Sequence, residues 1–494
     1  MKKLLLFAIL IPFLIAGCEH TNQSDSLIKT SDGRGYGETR GDGYGGDQYE
    51  YYGENPFVST DAEQVSTFSI DADGGSYANC RRFIESGEIP PEGAVRIEEF
   101  INYFIYDYPD PTDGHALHVE GEVCECPWDE SHRLIRIGIK GKSIAASEMP
   151  PSNVVFLIDV SGSMSSEDKL PLLRKCFKLL ADQFGPQDVV SIVTYSGASS
   201  VPLNAARGHE KQKIYDAINS LGAGGSTAGA QGIMTAYEIA EQNYIQGGNN
   251  RVILASDGDF NVGIRDTDKL IELIEEMRDK GIFLTTIGVG RGNLNDRMME
   301  QVANHGNGTY EYIDDFEQGR LLFTSGFSKL YTVAQDVKVQ VRFNPTMVKE
   351  WRLIGYENRV LNEEDFEDDT KDAGELGAGQ TVTALYEIVP NTMAMHIVKP
   401  AFYLDFRYKE PLGESSIPIS VAVDNSNKPF ALASENTRFA AAVASYGMLL
   451  TDSQYKGETS LGDVLEWARS SSGYDPEGLR AGFIKVVSRT KLTE

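Results

Sequence analysis

Residues 153–163 read Asn-Val-Val-Phe-Leu-Ile-Asp-Val-Ser-Gly-Ser. The run 154–158 is wholly apolar, the pattern of a strand buried on both faces of a parallel sheet. It ends on Asp159, and Ser161 and Ser163 follow at alternate positions with Gly162 between them. Small oxygen-bearing side chains just past the carboxyl end of a buried strand stand where open α/β sheets bind ligands. All three are hard oxygen donors, suited to Mg²⁺, Mn²⁺ or Ca²⁺ and poorly suited to zinc or copper. Taken alone, Asp-x-Ser-x-Ser fits a solvated strand-to-helix turn capped by serine about as well.

Two later stretches favour the metal. Gly224-Gly225-Ser226-Thr227 opens a helical pattern after a Gly-rich turn, and 252–258, Val-Ile-Leu-Ala-Ser-Asp-Gly, is a second buried strand ending on a carboxylate. In this order Asp159, Ser161, Ser163, Thr227 and Asp257 resemble the metal-ion-dependent adhesion site of von Willebrand factor type A (VWA) domains, with all five positions present. The resemblance implies Mg²⁺ (or Mn²⁺ or Ca²⁺) bound directly by Ser161 and Ser163, and by Thr227 directly or through water. Asp159 and Asp257 would act largely through water. Hydroxyls are neutral and only two carboxylates are present, so the ion keeps much of its charge and an open position. A partner protein's Asp or Glu carboxylate completes the shell. The resemblance also implies that metal occupancy is coupled to a shift of the domain's last helix, here 316–330. Asp259 is a candidate for support behind the ligands.

Around this motif the pattern alternates. Strands are expected at 153–158, 188–195, 250–256, 282–289 and 309–313. Helices are expected at 168–184, 209–220, 227–243, 266–280, 294–305 and 316–330. Together they predict a doubly wound, mainly parallel sheet over 151–330. Upstream, over 56–150, the sequence predicts a strand at 66–71, helices at 76–84 and 96–104, and strands at 117–123 and 133–139. Downstream, over 331–494, strands are predicted at 336–343, 351–356, 381–389, 401–408 and 416–423, followed by a helical end from 436. Strands on both sides predict an α/β VWA domain inserted in a β-sandwich, with helical N- and C-terminal segments. The stretch 56–111, with Arg96-Ile97-Glu98-Glu99-Phe100-Ile101-Asn102-Tyr103-Phe104, resembles the N-terminal region of bacterial YfbK-type VWA lipoproteins. So does 353–379, from Leu353-Ile354-Gly355-Tyr356 to Gly377-Ala378-Gly379. Gln380 stands where that type is expected to carry His, so no role of such a His transfers.

The first 18 residues read as an export signal: Lys2 and Lys3, then an apolar run over 4–15. Leu14-Ile15-Ala16-Gly17-Cys18 resembles a bacterial lipobox, which implies cleavage before Cys18, its acylation, and a membrane anchor without a span. Glu19 rather than Asp follows, which favours the outer membrane of the cell envelope. Residues 19–55, rich in Gly, Tyr, Asp and Glu from 33 to 53, are expected to be a disordered tether with a mean reach of about 35 Å. Cys80, Cys124, Cys126 and Cys176 do not form a disulfide scaffold, and Cys176 falls on the apolar face of its helix.

The net charge of −28 opposes nucleic-acid binding, which needs a basic footprint. Enzyme motifs are incomplete. Gly224-Gly225-Ser226-Thr227-Ala228 lacks the last Gly of a nucleophile elbow, and 288–293 lacks the third Gly of a dinucleotide loop. A metal-assisted hydrolase is the weakest alternative. Some members of the resembling family carry a chloride-channel label, yet no stretch after residue 18 approaches the roughly 20 apolar residues of a membrane helix. A scaffold working with an AAA-type ATPase system stays open beside adhesion, because both would use the same capture site.

Overall fold

The strand Ser152–Asp159 lies in the middle of a six-stranded sheet, flanked by Asn249–Ser256 and Val189–Tyr195. Ile282–Val289 and Tyr310–Ile313 extend it on one side, and these five strands run parallel. The sixth, Ser199–Arg207, is an antiparallel edge strand. It was not expected, because it reads polar and carries Pro202, which suits an edge where one amide row faces solvent. In the computed structural model, residues 40–492 are described except 45, 226–228, 259–266, 392–399 and 427. Cys18, Thr227 and Asp259 lie outside the described residues.

Helices cover both faces of this sheet. Leu170–Gln183 and Lys211–Ser220 bury Leu173, Phe177 and Ile214 on one side. Gly229–Gln242 and Thr267–Asp279 bury Ile233, Tyr237 and Ile274 on the other. Buried apolar area on both sides of one sheet is what dictates the doubly wound arrangement. The expected last helix over 316–330 is corrected. It is an α turn, Phe316–Arg320, then a π turn, Leu321–Ser325, then a 3₁₀ turn, Phe327–Leu330. Gly319 packs so tightly on Cys176 that a Cβ would lie 2.2 Å from its sulfur, and Gly326 divides the last two turns. Two glycines in fifteen residues remove the propensity that would hold one regular helix.

The α/β domain leaves a sandwich after Arg133–Gly141 and returns into it at Thr332–Phe343. One sheet runs Val360–Leu361, Val65–Ser69, Thr332–Phe343, Pro400–Lys409, Ile417–Asp424, with Gly374–Gly377 also paired to Thr332–Phe343. The other runs Val58–Ser59, Val348–Ile354, Thr381–Pro390, Arg133–Gly141, Leu117–Glu125. Alternate side chains, among them Phe68, Ile137, Val339, Leu353 and Phe406, fill the space between them. Gln380 is a clamp inside this body: its Nε2 donates to Ala72 O at 2.9 Å, and its Oε1 accepts from Gly377 N at 3.0 Å.

Helices from both ends of the chain share one layer. Gly75–Ser86, Ile97–Asn102, Glu435–Leu450, Leu461–Arg469 and Leu479–Arg489 pack around Tyr77, Phe104, Phe439, Tyr446 and Phe483. Leu134, Ile354 and Leu385 of the second sheet belong to the same cluster. Gly75 meets the Tyr310 ring on the edge strand of the α/β domain, so this layer touches both other bodies. Cys80, Cys124, Cys126 and Cys176 are buried free thiols.

The expectation of a disordered tether over 19–55 is corrected for its described part, 40–55; residues 19–39 lie outside the described residues. Arg40–Tyr44 pairs antiparallel with Asp47–Tyr51 as a hairpin, and Asp47 and Tyr49 are buried. The segment holds too few aliphatic residues for a core of its own, but it uses the surface of the rest of the chain. No described helix is long and apolar enough to cross a membrane.

Candidate metal centre

The parallel register places Ala255 opposite Ile158, so Ser256 and Asp257 emerge beside Asp159 at the carboxyl ends of adjacent strands. Asp159 and Asp257 are fully buried. The chain turns sharply at once: Ser161 N donates to Asp159 Oδ1 at 2.7 Å, and residues 162–165 form a 3₁₀ turn over the buried Met164. That turn brings the Ser161 and Ser163 hydroxyls to 2.9 Å from each other. Ser163 is solvent-exposed while Ser161 is buried, so the pair has one wet side. The Ser256 hydroxyl reaches Asp159 Oδ2 at 3.3 Å and accepts from Gly258 N at 3.1 Å, which couples the two strand ends.

The Gly-rich turn closes on the first loop. Gly162 N donates to Gly225 O at 3.2 Å and Gly224 N to Val160 O at 2.8 Å. Of the five sequence-predicted residues, four stand together, and Thr227 lies outside the described ones. Burial pushes the Asp159 carboxyl up to about 6, with Asp257 adding to the rise; the hydrogen bonds from Ser161 and Ser256 act the other way.

Sequence reading missed three residues here. Lys169, almost fully buried, places its ammonium 2.8 Å from Asp257 Oδ2 and 3.0 Å from Asn293 Oδ1. Ser256 is the third. A lysine at the head of a helix reads as a surface residue, and no spacing ties position 169 to 257 or 293. Gly258, at φ +94°, lies flat against the loop 290–295; a Cβ there would come within 2.1 Å of Asn295 N.

The donor set fits a small hard cation: two hydroxyls at mutual hydrogen-bond distance, one carboxylate beside them, and a second one strand away. Lys169 opposes this in part, because it already holds one oxygen of Asp257.

Comparison with known proteins gives three family models. The model described as von Willebrand factor type A domain matches residues 153–325, one described as von Willebrand factor matches 44–136, and one described as uncharacterized protein YfbK, C-terminal, matches 328–492. The chain is 40% identical over 466 residues to the uncharacterized protein YfbK of Escherichia coli (strain K12), covering 89% of this chain and 80% of that one. It is 24% identical over 206 residues to uncharacterized protein sll0103 of Synechocystis, covering 41% of this chain and 47% of that one. A solved structure, von Willebrand factor type A from Catenulispora acidiphila, aligns with a TM-score of 0.44 at 14% identity, over 76% of this chain and 90% of that one.

Proposed function

The chain belongs to the YfbK family of VWA-containing proteins, and from that premise we propose that it captures a protein partner through a divalent metal at the sheet's carboxyl edge, as a lipid-anchored protein of the cell envelope. VWA domains mediate interaction and adhesion between proteins and commonly bind a divalent metal. The observation that carries the reading is the convergence of the Ser161 and Ser163 hydroxyls beside the buried Asp159, with Asp257 on the neighbouring strand.

Ser161 and Ser163 would hold the ion directly, with Thr227 as a third hydroxyl, directly or through water. Asp159 and Asp257 would hold the ion's water ligands. When bound, the metal supplies a Lewis-acidic position that accepts a partner's Asp or Glu carboxylate. The chain's own residues do the rest. The 3₁₀ turn aims the two hydroxyls, the buried sheet end keeps bulk water off Asp159 and Asp257, and the exposed side of Ser163 leaves the approach open. Mg²⁺ is the assigned ion, with Mn²⁺ and Ca²⁺ chemically admissible. The anchor would be the acylated Cys18, in the outer membrane.

The test is affinity capture from envelope extract with the full chain as bait, in Mg²⁺ or in EDTA, beside Asp159→Ala. A partner retained in Mg²⁺ and lost in both controls is the expected result. A partner held equally in all three would move capture to the sandwich or the helical layer and defeat the proposal.

A further inference from the structure

The loop 290–295 borders the centre, and its sequence makes its order a question. Gly290 and Gly292 sit at φ +73° and +90° in the run Gly-Arg-Gly-Asn, so the segment has little conformational bias of its own. On its inner side, Asn293 Oδ1 accepts from Lys169 Nζ, which also donates to Asp257 Oδ2. Leu294 and Asn295 lie against the backbone of Gly258, the residue after Asp257.

The outer side of the loop is held by the N-terminal hairpin. Asp47 Oδ1 accepts from Gly292 N at 2.7 Å and from Leu294 N at 2.9 Å. Gln48 N donates to Leu294 O at 2.7 Å. Gly46, at φ +104°, lies so close that a Cβ would be 2.0 Å from Gly292 O. Asp47 is itself locked: Arg82, on the helix Gly75–Ser86, reaches its Oδ2 at 2.6 Å. Glu50 pairs with Arg297 at 2.9 Å, just beyond the loop. An ionised carboxylate accepting two backbone amides while paired to a largely screened guanidinium is among the stronger polar anchors a protein makes.

We infer that Asp47 is a positioning residue for the metal centre: it holds the loop 290–295, and through Asn293 and Lys169 it sets where Asp257 stands. The inference rests on the metal reading above. It gives the segment between residue 40 and the first sandwich strand a role other than spacing. The hairpin joins the export-signal end of the chain to the rim of the capture site. A force or contact that lifted the hairpin would loosen the second carboxylate.

The test uses the full chain with Mn²⁺ as the probe. Binding is followed by electron paramagnetic resonance, and the order of 290–295 by hydrogen exchange in EDTA. Asp47→Ala is expected to speed exchange in 290–295 and to weaken Mn²⁺ binding by about tenfold, the usual scale for residues that orient metal ligands. Asp47→Asn keeps one oxygen for both amides but turns its NH2 toward Arg82. It is therefore expected to bind Mn²⁺ with an affinity between those of the parent and Asp47→Ala, with faster exchange confined to the hairpin and 290–295, which a general loss of stability would not give. If the parent binds Mn²⁺ and Asp47→Ala binds it equally well, or exchanges in 290–295 at the parent's rate, the inference is wrong. If the parent binds no Mn²⁺, the metal reading falls and takes the inference with it.

Discussion

Asp257 faces two cations in the proposed cycle: the resident ammonium of Lys169 at 2.8 Å, and the metal. A buried carboxylate cannot give full attention to both, so Lys169 sets a cost on metal entry and a gain in the metal-free fold. Lys169→Met should therefore bind Mn²⁺ more tightly than the parent. In EDTA it should be destabilised by roughly 1–3 kcal/mol, since Asp257 loses a buried charged donor. Titration calorimetry and thermal melts read the two effects separately, and a variant that weakened Mn²⁺ binding would refute the competition. Ser161→Ala removes a single hydroxyl at the centre. It should weaken Mn²⁺ binding and cost about 1 kcal/mol in EDTA, because that hydroxyl bonds both the Ser163 hydroxyl and the buried Asp159 carboxylate. At this scale the alternating oxygen donors after one buried strand, and the carboxylate ending another, were legible. Lys169 and Asn293 were not, because their relation to Asp257 is made by three separate loops meeting.

Among the elements, the helical layer shows how distant segments become one body. Phe483, on Leu479–Arg489, sets its ring edge-on to Phe104, Phe439 and Tyr446 at centroid separations of 5.5, 5.6 and 5.5 Å. It is fully buried. Phe483→Ala leaves a cavity among rings that cannot all collapse into it and should cost about 3–5 kcal/mol, measured by denaturant unfolding. A loss below 1 kcal/mol would mean that the last helix is not integral to the layer. Helix periodicity announced these segments, but 316–330 was misread as one helix. Its apolar spacing is helical, while Gly319 and Gly326 serve close packing and a change of turn. The hairpin was misread in the opposite sense. Composition correctly denied it a core of its own, yet Tyr49 and Asp47 bury themselves on Arg82 and the loop 290–295.

Across the whole molecule, the three bodies meet at a junction rich in buried acids. Arg96 lies between Glu99, Asp296 and Glu300, and Arg359 pairs with Asp71 and stands near Asp73. Glu98 and Glu357 lie in the same region. Burial, helped by Glu357 and Asp71, pushes Glu98 up to about 8, and burial pushes Glu357 up to about 7. Both folded values stand above those of an unfolded carboxyl, so between them the folded chain holds more protons. Their stabilising contribution is full below the ordinary carboxyl range and is lost as the pH rises through about 7 to 8. The melting temperature in EDTA should accordingly fall between mildly acidic and mildly alkaline buffer, and Glu98→Gln should flatten that slope. A parent that melted higher in the alkaline buffer would contradict this account.

The sequence by itself determined the class of each body, because burial patterns are written locally: period two for the sandwich, continuous apolar runs for the central sheet, period 3.6 for the helices. It also determined the metal-loop candidates, since three of them follow within five residues of one strand. The strands on both sides of the VWA domain announced one sandwich, but only the tertiary structure decided which of them pair in each of its two sheets and that helices from both ends of the chain make one layer. It likewise decided that a glycine-rich leader braces the rim of the site. The physical reason is common to all three. Each depends on which surfaces meet, and a surface with no core of its own takes its order from a partner that may lie hundreds of residues away.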